Sequence, residues 1–66
     1  MVYKVNISIE EDEIFSGVME KEFIPLDRSQ ILYTDPKGSM KVAYIEYTDI
    51  VYDLNEVVLE LTAKKI

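Results

Sequence analysis

Ile31-Leu32-Tyr33-Thr34-Asp35-Pro36-Lys37-Gly38-Ser39-Met40-Lys41-Val42-Ala43-Tyr44-Ile45-Glu46-Tyr47 carries the clearest local signal in the chain. Two runs of branched and aromatic side chains flank a stretch made for a turn. Asp35 suits the first turn position because its carboxylate can accept bonds from backbone N–H groups ahead of it. Pro36 presets φ at the second position, and Gly38 tolerates the left-handed conformation at the fourth. The spacing predicts a β-hairpin with a loop of four to five residues.

Upstream, residues 2–9 alternate with period two. Tyr3, Val5, Ile7 and Ile9 lie on one face and Lys4, Asn6 and Ser8 on the other, as in a half-buried strand. The next stretch reads two ways. Ser8-Ile9-Glu10-Glu11 has capping-box spacing, and Ile14, Phe15, Val18 and Met19 recur at helical intervals. Gly17 among them would cost a helix interior about 1 kcal/mol. The reading favoured here is an acidic loop or short helical turn over 10–16, then an edge strand over 18–25, where Pro25 lacks a ladder donor.

Downstream, residues 49–64 are also ambiguous. A helix would place Ile50, Leu54, Val57, Val58 and Leu61 on one stripe, with Lys64 and Lys65 near its C-terminal dipole. A strand would bury Leu59 as well, with Asp53-Leu54-Asn55-Glu56 serving as the turn between two strands. We take the strand reading. Composition supports it, since Val, Ile, Thr, Tyr and Phe make up 25 of 66 residues and Ala plus Leu only 7.

These elements predict one small, mainly β domain over residues 1–66. It is expected as an antiparallel meander or barrel of about five strands, near 2–9, 18–25, 30–34, 40–47 and 57–63. The alternative is an α+β fold with an antiparallel sheet and a C-terminal helix near 49–63. Tyr3, Val5, Ile7, Ile24, Leu32, Val42, Tyr44, Val57, Leu59 and Leu61 are the candidate core.

The missing residue types exclude a good deal. The chain has no Cys, His or Trp. It therefore has no disulfide, no thiolate nucleophile, no zinc site of the usual ligands and no side chain that titrates near neutrality by default. Acid–base chemistry would fall to carboxylates, Lys or Tyr with strongly shifted pKa values, and a 66-residue fold offers little depth for desolvating them. The expectation is a protein that is not an enzyme and carries no cofactor. The N-terminus lacks the apolar run of a signal peptide, and no stretch approaches the ~20 apolar residues that span a bilayer. A cytoplasmic location without membrane contact is expected. Few Asn and Gln beside abundant Glu, Lys and Ile lean toward the composition of heat-adapted proteins.

Thirteen acidic against seven basic residues give a net charge of −6. The run Glu10-Glu11-Asp12-Glu13 lacks the alternating ligands and turn glycine of a calcium loop, so it reads as a solvated acidic segment. The second concentration spans Val42 to Ala63, which holds five acids and no base, interleaved with tyrosines. One-signed fields steer partners of the opposite sign, and Tyr gives rigid contact area. Glu46, Tyr47, Asp49, Tyr52, Asp53, Glu56 and Glu60 are therefore the candidate interaction face, offered to a basic protein or used within a homo-oligomer. A plainer reading makes these acids merely the solvent side of strands. The alternatives in function are a carboxylate-based divalent-cation site or hydrolase, using Glu10–Glu13 or Glu46 and Asp49, and a small barrel that binds nucleic acid. The last is disfavoured because phosphates are neutralised by Lys and Arg, which here are few and dispersed.

Overall fold

A computed structural model describes residues 1–66 as five strands and one short turn of 3-10 helix. The strands are β1 (Val2–Ile9), β2 (Asp12–Glu20), β3 (Gln30–Thr34), β4 (Met40–Asp53) and β5 (Glu56–Lys65), with the 3-10 turn at Lys21–Phe23. They form one sheet in the order β2-β1-β5-β4-β3, curled into a half-barrel. The fold is mainly β, as the branched and aromatic composition predicts, and residues 49–63 are strand and turn rather than helix. One pairing departs from an all-antiparallel meander: β1 and β5 lie side by side in parallel, joining the first and last strands at the sheet's centre. No helix is long and apolar enough to cross a membrane.

Turn chemistry fixes the hairpins. Asp35 Oδ1 accepts from the backbone N–H groups of Lys37 (3.0 Å) and Ser39 (2.8 Å), and Gly38 takes a φ of 85°. The β3–β4 hairpin closes where the sequence places it. At the other end of the sheet, Asp53-Leu54-Asn55-Glu56 turns β4 into β5, with Leu54 at a φ of 50°.

The acidic stretch differs from its expected form. Instead of a loop or helical turn over 10–16, Glu10 and Glu11 alone make a two-residue turn, and β2 begins at Asp12 rather than 18. Both glutamates have positive φ (48° and 74°), the signs of a type I′ turn, whose twist matches that of the flanking strands. Nothing in the residue types announces this, because such turns favour Asn and Gly. β2 is an edge strand, but it ends at Glu20, and Pro25 lies in the connection that follows. Gly17 belongs to β2 opposite Val5; a Cβ there would meet the Phe15 ring at 3.3 Å, so its bare backbone leaves room for that ring.

The core is narrow. Val5, Ile7, Ile9, Ala43, Ile45, Leu61 and Ala63 form one buried cluster on the concave face. Tyr3, Ile24 and Leu59 pack at its margin as partly buried residues.

 Leu59, which the strand reading buries, is only partly buried. Four expected core residues fall elsewhere: Leu32, Val42 and Val57 are exposed, and Tyr44 is only half-buried. In β4 the inward residues are Ala43 and Ile45, one position out of step with Val42 and Tyr44. Two alanines, Ala43 and Ala63, occupy buried positions in the cluster.

Between β2 and β3 the chain crosses the concave side. Arg28 N donates to Ile45 O (2.6 Å), Ile45 N donates to Ser29 O (2.9 Å), and Thr48 Oγ1 donates to Asp27 Oδ1 (2.9 Å). These bonds tie the crossing segment to the middle of β4, and Ile24 packs against the core on the way.

Two measurements check this account. Ile45→Ala empties a fully buried position and is expected to lower unfolding free energy by about 2–5 kcal/mol in urea titration. Replacing the strained turn by Glu10→Asn with Glu11→Gly is expected to raise it by about 1 kcal/mol.

Candidate interaction surface

β4 is longer than its neighbours, and its distal half pairs only with β5. Its register contains one extra residue between Ile45 and Tyr47. That residue, Glu46, is a β-bulge, and it inverts the alternation along the strand. Before it, the odd-numbered Ala43 and Ile45 face the core. After it, the odd-numbered Tyr47, Asp49, Val51 and Asp53 face the convex side, while Thr48, Ile50 and Tyr52 take the concave one.

On the convex face the register sets Asp49 directly opposite Glu60 and Asp53 directly opposite Glu56. Between these pairs, Val51 faces Val58, which is buried although it lies outside the core cluster. Four carboxylates thus frame a small apolar centre. Like charges directly across a strand pair are unfavourable by roughly 0.2–1 kcal/mol. One cation answers them within ion-pair distance: Lys4 Nζ approaches Glu56 Oε2 at 3.8 Å, with both side chains substantially exposed. Such a surface pair contributes little.

The structure therefore brings together five of the seven expected residues: Tyr47, Asp49, Asp53, Glu56 and Glu60. Glu46 stands apart at the bulge, its carboxylate 4.0 Å from Lys64 Nζ. Tyr52 is separated from the group by the sheet itself, projecting from the concave face opposite Val57. Val51 and Val58 complete the acidic face and escape sequence reasoning, since their placement depends on the bulge. The only signal for it is negative, the failure of either parity of β4 to be apolar throughout.

The other carboxylates do not converge. Glu10 and Glu11 diverge at the turn, with Glu10 Oε2 3.7 Å from Lys65 Nζ. Glu46 lies by Lys64 whereas Asp49 faces Glu60 across the ribbon, and no group of three or more acidic side chains has an arrangement that could hold a metal ion. Two clefts, about 810 and about 450 Å³, follow the open seam between edge strands β2 and β3. The larger mixes Asp12, Glu13 and Asp35 with Lys41 and Lys65, and the smaller is mostly apolar.

Compared with known protein families, curated proteins and solved structures, the chain matches none. The arrangement of its carboxylates generates a direct check. Calorimetric titration with calcium, magnesium and manganese is expected to show no saturable heat; a stoichiometric site for any of them would contradict the geometry described.

Proposed function

We propose that this chain is a non-enzymatic interaction module that presents the convex face of the β4–β5 ribbon to a basic protein. The observation that carries this reading is the double apposition of Asp49 with Glu60 and of Asp53 with Glu56. The sheet holds four negative charges as two facing pairs that Lys4 alone approaches, so a Lys- or Arg-bearing surface gains twice on docking. It forms charge-assisted bonds and removes a repulsion the free protein tolerates. Tyr47 lies on the same face beside the Asp49–Glu60 pair and supplies contact area of low entropic cost. Val51 and Val58 give the centre an apolar footing, while the acids form a polar rim, the usual division within an interface.

The same field disfavours direct contact with nucleic acid, whose phosphates need cations. It likewise disfavours anionic lipid, for which Lys64 and Lys65 make too small a basic patch. The proposed setting is the cytoplasm, without a cofactor. A carboxylate-based hydrolase or cation site has less support, because the acids are dispersed along a solvent-facing ribbon rather than gathered in a pocket.

Pull-down from cell lysate at low and high salt tests the proposal. Basic proteins are expected at low salt and are expected to be lost at high salt. Asp49→Asn with Asp53→Asn is expected to reduce their capture while leaving the fold intact, and to raise stability by a few tenths to about 1 kcal/mol for each relieved pair. Absence of every partner at low salt would refute the reading.

A further inference from the structure

The acidic face borders a free strand edge. β3 pairs with β4 only as far as Tyr44, and the crossing segment extends that contact through backbone bonds at Ile45. Over residues 47–53 the same edge of β4 has no neighbouring strand. The β4–β5 hairpin decides which backbone groups lie there. Its two-residue loop makes Asp53 and Glu56 a hydrogen-bonded pair, so by alternation Val51, Asp49 and Tyr47 also direct their N–H and C=O groups to β5. The N–H and C=O groups of Thr48, Ile50 and Tyr52 point the other way, and no turn or loop bonds to them. Three donors and three acceptors thus line one edge at strand spacing, a template that an extended chain completes.

The side chains along this edge fall into two chemical sets. Asp49 and Asp53 flank Val51 on the convex face, while Ile50 and Tyr52, with relative exposures of 58% and 78%, occupy the concave one. A strand added here sets its own side chains directly opposite these, alternating between the same two faces. A second copy of β4 is a poor occupant. Centred on Val51, it would place Asp49 opposite Asp53 twice, and like charges so placed repel. A chain with Lys or Arg at both positions turns each repulsion into an attraction.

We infer that the basic partner binds by adding an extended segment to the edge of β4 over residues 48–53, with the pattern basic–apolar–any–apolar–basic. Its basic residues lie opposite Asp53 and Asp49, and its apolar residues lie opposite Tyr52 and Ile50. Each basic side chain then answers the aspartate of a like-charged pair, since Asp49 already faces Glu60 and Asp53 faces Glu56 on the other side. The segment runs antiparallel to β4, the sense of β3 on the same edge and the more stable ladder per residue. This mode of docking rests on the acidic-face reading and narrows it: the partner is recognised by its backbone and by the spacing of its charges, as well as by their sign.

Titration of the full chain with three peptides, followed through its backbone amide resonances, tests the inference. The first peptide is acetyl-Lys-Val-Thr-Val-Lys-amide. The second carries N-methyl groups on both valines, which removes the N–H groups that would face β4 and leaves the charge unchanged. The third sets the lysines side by side, as acetyl-Lys-Lys-Val-Thr-Val-amide. The first is expected to bind at least about tenfold more tightly than either of the others. Its binding should shift the amides of Thr48, Ile50 and Tyr52 and leave that of Val18, on the far edge, in place. Equal binding of the N-methylated or the rearranged peptide would overturn strand addition while leaving a charge-driven partner standing. Shifts confined to other edges would overturn it too. Silence with all three would also overturn it, and capture of basic proteins from lysate would then decide the acidic-face reading separately.

Discussion

One extra residue in β4 governs much of this molecule. Because side chains alternate strictly along a strand, the bulge at Glu46 exchanges the faces of everything after it. Without it, Tyr47 and Asp49 would follow Ala43 and Ile45 toward the core, and Ile50 and Tyr52 would turn to the convex side. With it, β4 contributes a buried half and a projecting half whose two sides are chemically distinct. The facing pairs of acids, the valines between them and the apolar concave side all follow from that single inversion.

The bulge also explains which parts of the fold the sequence reveals. The β3–β4 turn is legible because Asp35, Pro36 and Gly38 each satisfy a separate local requirement, and the Asp35 side chain makes the bonds its position implies. β1 is legible because Tyr3, Val5, Ile7 and Ile9 keep one parity throughout. In β4 no parity persists, so Val42 and Tyr44 look as suitable for the interior as Ala43 and Ile45, and their greater bulk favours the wrong choice. At Glu10-Glu11 the backbone takes a left-handed turn that the residue types do not advertise. There the demands of pairing β1 with β2 override local preference.

The candidate site shows the same division. The charge count of residues 42–63 marks a segment rich in acids, but a segment has two sides. Tyr52 falls on the side away from Asp49 and Asp53, which only the register can show. The plainer view of these acids as a solvent-facing side of strands describes where they lie; it leaves their direct apposition in pairs unexplained. Solvation alone asks for acids on the surface and does not ask for them to face one another.

The parallel pairing of β1 with β5 has a consequence for how the chain reaches this state. Each terminal hairpin is local and can form quickly, but neither encloses the interior. Val5 and Leu59 are neighbours in the sheet although most of the polypeptide separates them, so the centre is completed only by closing a long loop. During synthesis, the early hairpin must wait for the last strand to emerge with Ile7 and Ile9 still uncovered. That interval, rather than the finished protein, is when the chain is most open to aggregation or to capture by a chaperone.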